Sequence, residues 1–368
     1  MNHPKDIDIA PLPQALENAL QRAMAPPGTT TVKDATYYKK KAKADNTYRS
    51  YASAINDFIK WTQLNNPFPT STFLIEQYLT EKANETTSDA NADVNGSTWK
   101  YAPTTLSHRL AALSWVHRML GYDDPTQNTQ VRTLLTGIRK DRIESGWQEE
   151  QAPALPLEAI RTMIQCMGET LREQRDKAFL LTSIICALRQ SEAITLQFEQ
   201  LTFDTKGIAI DLGKTKTDQT QMRKKYSVLP RVGGLFCPVT ALETWLQAAE
   251  ITEGAIFRGI NRHGQFVTKK EKDEQGNVVN RIPVAMTHTT GNRIVKHWVN
   301  QAGIENASRY SGHSLRATFV TLARSLQIPD AIIARQTHHR NLNTLGVYDR
   351  PEQVFDNNAV DMIVRAFE

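Results

Sequence analysis

From Thr47 onward the apolar residues keep a helical period. Tyr48, Tyr51, Ile55, Phe58 and Ile59 recur mainly at spacings of three and four, which makes one face apolar. The same reading predicts helices over 72–79, 104–120 and 130–143, with Leu106, Leu110, Leu113 and His117 sharing one side of the third of the four. Residues 84–97 are rich in Asn, Asp, Thr and Ser and read as a loop. Residues 34–145 are therefore expected to form an all-helical domain. Residues 1–33 read as a flexible leader, with a short helix over 14–24 stopped by Pro26-Pro27-Gly28.

The stretch 146–156 is mostly polar, holds Gly146, Pro153 and Pro156, and suits a linker. A second domain is expected over 157–368. It opens with helices over 157–167 and 172–188, and short strands follow over 200–203, 207–212 and 226–229. Pro238 starts a helix that runs to Ala249, with proline in the first turn where its missing N–H costs nothing. Residues 269–280 are charged, contain Gly276-Asn277, and read as an exposed hairpin or loop. Helices are expected over 289–302, 315–325, 330–337, 344–348 and 359–367. The fold class is mainly α with a small β-sheet (α+β), and no internal repeat is visible.

Composition narrows the picture. The 368 residues are enough for two domains with separate cores. With 40% hydrophobic and 23% charged residues, the chain reads as soluble and globular. A net charge of +5 leans toward polyanions. The N-terminal residues have no signal-peptide pattern, and the longest apolar run, 178–188, is too short to span a bilayer. No membrane partner is expected, and the cytoplasm is the expected location. Cys166, Cys186 and Cys237 lack metal-ligand spacing and read as buried free thiols of a reducing compartment.

The candidate chemistry lies in the second half. Arg189 ends a strongly apolar run, so it needs a partner, and Glu192 shares its face three residues on. His313 and Arg316 stand three apart at a helix start. Arginine grips phosphate oxygens with two parallel hydrogen bonds, which lysine cannot do. The order Arg189, Lys216, His313, Arg316, His339, Tyr348 gathers groups that carry or accept positive charge with one phenol, as metal-free phosphoryl transfer requires.

Three segments resemble the tyrosine recombinase (phage integrase) family, especially its Cre-like members. Ala187-Leu188-Arg189-Gln190-Ser191-Glu192 resembles the first arginine box, and Tyr310-Ser311-Gly312-His313-Ser314-Leu315-Arg316 the His-x-x-Arg box. Gln336-Thr337-His338-His339-Arg340 through Val347-Tyr348 resembles the closing box. A shorter segment, Gly213-Lys214-Thr215-Lys216-Thr217, resembles the turn that supplies the family's lysine. Arg316 and Tyr348 are 32 residues apart and His339 and Tyr348 are 9 apart, both as in the family. Where the family often has glycine just before this histidine, this chain has His338, which reads as structural.

The resemblance implies roles. Tyr348 would be the nucleophile, forming a 3′-phosphotyrosine. Arg189 and Arg316 would hold the phosphate, and Glu192 would orient Arg189. Lys216 would protonate the leaving oxygen, with Lys214, Lys224 and Lys225 as rivals on the same lysine-rich turn. His313 would assist proton transfer at Tyr348, and His339 would bond a phosphate oxygen. The implied partners are double-stranded DNA and a homotetramer assembled on it, with strand exchange through a Holliday junction. No cofactor and no metal are implied. The tail stripe Val360, Ile363, Val364 and Phe367 would dock on a neighbour or pack on its own domain. Whether accessory proteins take part is not readable from the sequence.

DNA contacts are expected from Lys39, Lys40, Lys41 and Lys43 and from Arg132, Arg139, Lys140 and Arg142; the alternative is a solvated basic face. Two rival functions stand beside the recombinase: a type IB topoisomerase with nearly the same residues, and a catalytically inert DNA-binding protein. Zinc is disfavoured, because no H-x-x-x-H or C-x-x-C occurs.

Overall fold

The computed structural model describes residues 45–64, 66–87, 99–149, 151–213, 225–273 and 276–338. The chain divides into two compact units, Met1–Glu149 and Glu150–Glu368. The leader, the lysine cluster at 39–43, most of the 214–225 turn, His339, Tyr348 and the tail lie outside the described residues.

The first unit is helical. α1 (Asp45–Thr62), α2 (Thr72–Asn84), α3 (Pro103–Leu120) and α4 (Thr129–Glu144) are its α-helices among the described residues. The periodicity has a direct physical outcome: Ile55, Phe58, Ile75, Tyr78, Leu106, Leu113 and Val131 are buried together. Local chemistry sets the helix ends. The Ser71 side chain accepts from Leu74 N–H to start α2, and Asn128 accepts from Gln130 N–H to start α4. His117 is a core residue satisfied on both sides. Its Nε2 accepts from Thr70 N–H at 3.1 Å, and its Nδ1 bonds Leu113 O at 2.8 Å.

The second unit is built around α6 (Leu171–Ile185), against which α8 (Pro238–Ala248) and α10 (Gly312–Ser325) pack. α5 (Leu157–Gln165) precedes it and α7 (Gln190–Ile194) follows. Three antiparallel strands in the order β1 (Leu201–Asp204), β2 (Gly207–Asp211), β3 (Tyr226–Pro230) form a small sheet, with Ile208 facing Leu229. Ile208, Ile210 and Leu229 turn one face of it into the core. The charged stretch after residue 267 is a hairpin of β4 (Thr268–Lys272) and β5 (Val278–Pro283). α9 (His288–Gln301) and α11 (Asp330–Thr337) complete the described α-helices.

Two expectations change. The helix predicted to reach residue 188 stops at Ile185, because Ala187 adopts a left-handed φ of 48°. Ala187 N–H bonds Ile184 O and Leu188 N–H bonds Ser183 O, the closing pattern of a helix normally ended by glycine. Cysteine exposure is also uneven: Cys186 and Cys237 are buried free thiols, but Cys166 is exposed.

One buried ion pair braces this core. Asp176 accepts from Arg175 at 2.7 Å and 3.0 Å and from Trp298 Nε1 at 3.0 Å, so all three polar groups on α6 and α9 are satisfied.

Candidate active site

The site begins where the backbone leaves α6. The left-handed turn at Ala187 swings the chain outward, and Arg189, in extended conformation, opens α7. Glu192 on the first turn of α7 accepts from the Arg189 backbone N–H at 2.8 Å and from its guanidinium at 2.7 Å. The partner that Arg189 needed is therefore in place, and one carboxylate fixes both the backbone and the side chain.

Arg316 lies on α10, only 3% exposed. Its two terminal nitrogens donate to Ala187 O at 2.7 Å and to Thr337 O at 2.6 Å. One guanidinium thus ties the turn that carries Arg189 to the end of α11. The segment leaving α11 leads on to His339 and Tyr348.

His313 stands one turn earlier on α10 and is exposed. The start of that helix is held by several bonds. Ser311 accepts from His313 N–H at 3.3 Å, and Asn292 Oδ1 accepts from Gly312 N–H at 2.9 Å.

Gln190 locks the pieces together. It is buried beside Arg189, and its Nε2 donates to His288 O at 2.8 Å. Its side chain passes against Gly291 of α9 and Gly312 of α10. A Cβ at Gly312 would fall 2.8 Å from the Cβ of Gln190, closer than real Cβ contacts come. Glycine at 312 is therefore required by close approach.

His338 caps α11 in left-handed conformation, with φ 55°. Burial pushes its ring below the ordinary histidine range. The charge of Lys225 adds to this, Glu192 opposes it, and Arg316 and Arg189 add further. The ring expected to be merely structural therefore sits within the field of both arginines and of Lys225.

The structure brings Arg189, Glu192, Arg316 and His338 together, with His313 on the same helix as Arg316. Lys216, His339 and Tyr348 lie outside the described residues, as do Lys214 and Lys224. Lys225 is the one lysine of that turn within them. Ala187, Gln190, Asn292 and Thr337 are positioning residues that sequence reasoning missed. All four act through backbone or through bonds to backbone, which leaves little signal in residue type. Gln190 could have been found from its place inside the first arginine box.

On the first unit, Arg132, Arg139 and Lys140 are exposed on α4. Spacings of seven and eight put all three on one face. Arg142 is a correction. It is buried, donates to Ala83 O, and stacks 3.9 Å from the Trp99 ring centroid. Burial beneath an aromatic ring removes it from any basic face open to phosphate.

Among the described residues, no three His, Cys, Asp or Glu side chains are grouped to hold a metal, and no helix is long and apolar enough to cross a membrane.

Residues 154–353 match the family model described as the phage integrase family. The chain is 30% identical over 327 residues to an integrase/recombinase xerD homolog of Selenomonas ruminantium, covering 87% of this chain and 86% of the relative. It is 23% identical over 184 residues to recombinase cre of Escherichia phage P1, about half of each chain (48% and 49%). Among solved structures, the XerH site-specific recombinase in a post-cleavage complex with difH substrate aligns with a TM-score of 0.57. That alignment has 15% identity and covers 100% of this chain and 99% of the other. The Tn1549 transposon integrase bound to transposon right end DNA aligns with a TM-score of 0.54 and 14% identity, over 96% and 98%. At these identities the structural likeness speaks to the fold alone.

Proposed function

The chain belongs to the phage integrase family of tyrosine recombinases, and we propose that it cleaves and rejoins DNA at a specific site through a 3′-phosphotyrosine intermediate. The observation that carries this most directly is Arg316, buried between Ala187 O and Thr337 O. It fixes the spacing between the Arg189 turn and the segment that leads to His339 and Tyr348. Two of its N–H groups donate to these carbonyls.

In this mechanism the Tyr348 oxygen attacks the scissile phosphorus and the bond to the 5′ oxygen breaks. His313 assists removal of the phenol proton, and Lys216 gives a proton to the leaving oxygen, with Lys214, Lys224 and Lys225 as rival donors. Arg189, Arg316 and His339 hold the non-bridging oxygens where negative charge must be stabilised. Glu192 keeps Arg189 aimed. The phosphotyrosine retains the bond energy, so the 5′ hydroxyl of a second strand reverses the step without ATP.

The double helix would lie against Arg132, Arg139 and Lys140 of α4 and the Lys39, Lys40, Lys41 and Lys43 cluster, which would supply phosphate contacts. Two protomers of a tetramer on DNA would cut one strand each, form a Holliday junction, and hand over to the other pair. The tail stripe Val360, Ile363, Val364 and Phe367 would dock on a neighbour. The reaction would run in the cytoplasm.

A supercoiled plasmid with two copies of the DNA flanking the gene tests this reading. Recombinant circles are the expected product. Relaxation without exchange would favour a type IB topoisomerase, and tight binding without cleavage an inert binder.

A further inference from the structure

Three features of His338 bear on its role. Its Nε2 is excluded from solvent and has no hydrogen-bond partner. Buried polar atoms are almost always paired, and an orphan costs stability. Its backbone sits at φ 55°, where a side chain is strained and glycine is not. It follows Thr337 directly, whose carbonyl accepts from Arg316 at 2.6 Å, so the backbone entering His338 is anchored to that guanidinium. The left-handed backbone is that of a helix cap; the buried, unpaired ring nitrogen is what calls for a partner.

The surroundings identify the ligand class. The charges of Lys225 before β3, Glu192 and Arg189 at the α6–α7 turn and Arg316 on α10 all act on the ring. Three cations against one carboxylate leave a positive field with a neutral imidazole inside it. A neutral imidazole carries one N–H, which donates well to an anion. We propose that His338 is a further substrate-contacting residue, whose Nε2–H donates to the phosphate that Arg189 and Arg316 hold. The assignment of that phosphate as the scissile one rests on the recombinase reading. The contact would also supply a donor near Arg316, two of whose N–H groups serve backbone carbonyls.

Glycine at 338 separates function from folding. It removes the ring and relieves the left-handed backbone at once. His338→Gly should therefore melt no lower than wild type. His338→Asn tolerates the same backbone and restores an N–H donor.

The first test titrates inorganic phosphate into the full-length protein labelled with 15N in histidine, with His338→Gly assigning the ring signal. A phosphate-dependent shift of the His338 ring is expected, and an unmoved signal would overturn the proposal. The second test measures single-turnover cleavage of the nicked flanking duplex. His338→Gly should slow cleavage about tenfold or more, the worth of one charge-assisted hydrogen bond, and His338→Asn should recover part of the loss. Cleavage by His338→Gly at the wild-type rate would overturn the proposal. Phosphate binding at His338 in a wild type that never cleaves DNA would instead sink the recombinase reading and leave this contact standing.

Discussion

Arg316 and His338 illustrate how much of this site is held by backbone. Arg316 is fixed by two carbonyls, and each belongs to or borders a left-handed residue that is not glycine, Ala187 and His338. Such positions cost roughly 1–2 kcal/mol each relative to glycine. His338 also carries a pH signature. Its folded form resists protonation, so the unfolded chain binds the extra proton first as pH falls through 6.5, the ordinary value. Stability should therefore drop with acid below that point, until the folded state is protonated too. Thermal melts across this range should show a shallower decline for His338→Gly than for wild type. Identical slopes would contradict the assignment. Arg189, His313 and Arg316 could be singled out in the sequence because the proposed chemistry demands their residue types. His338 was not, because what marks it is a φ angle and an unpaired atom. Arg142 misled for a related reason: a cation in a basic helix looks solvated until the neighbouring aromatic, Trp99, is seen over it.

At the scale of elements, the active-site geometry depends on how close α7, α9 and α10 can approach. Gln190 fills the gap between them, and Gly312 lets it in. Gly312→Ala should cost about 1–3 kcal/mol by overpacking, read as a lower urea midpoint, and should slow cleavage by displacing His313 and Arg316. Adding Gln190→Ala should return part of the stability, because it removes the Cγ and Cδ that the new methyl meets and leaves only the Cβ contact. A Gly312→Ala protein as stable as wild type would refute this packing. Helical periodicity located α1, α3 and α4 well, since burial of one face is what the period records. It missed the end of α6 because Ala187 and Leu188 stay buried after the helix stops, so the apolar run continues past the turn. A glycine there would have announced the break; alanine does not.

For the whole molecule, stability and DNA binding are expected to separate. Asp176 bonds Arg175 and Trp298 inside the second unit, and truncating one member leaves an unpaired buried charge. Asp176→Ala should lose about 3–5 kcal/mol in chemical denaturation. Arg139→Ala or Lys140→Ala should leave the melt unchanged and weaken DNA binding across sequences, lowering the salt slope by about one each. Arg142→Ala should do the reverse, costing stability through lost packing. The mainly helical fold with small antiparallel sheets was readable from the apolar periodicity along the chain. Which bases are read was not, because base contacts leave no pattern in a single chain.

The most direct test of the central claim is a covalent trap. Nicked duplexes from the DNA flanking the gene would be incubated with wild type and with Tyr348→Phe, in EDTA and without ATP, then resolved on a denaturing gel. A protein–DNA band in wild type alone is expected. The same band in Tyr348→Phe, or its loss in wild type when EDTA is added, would contradict a metal-free tyrosine nucleophile.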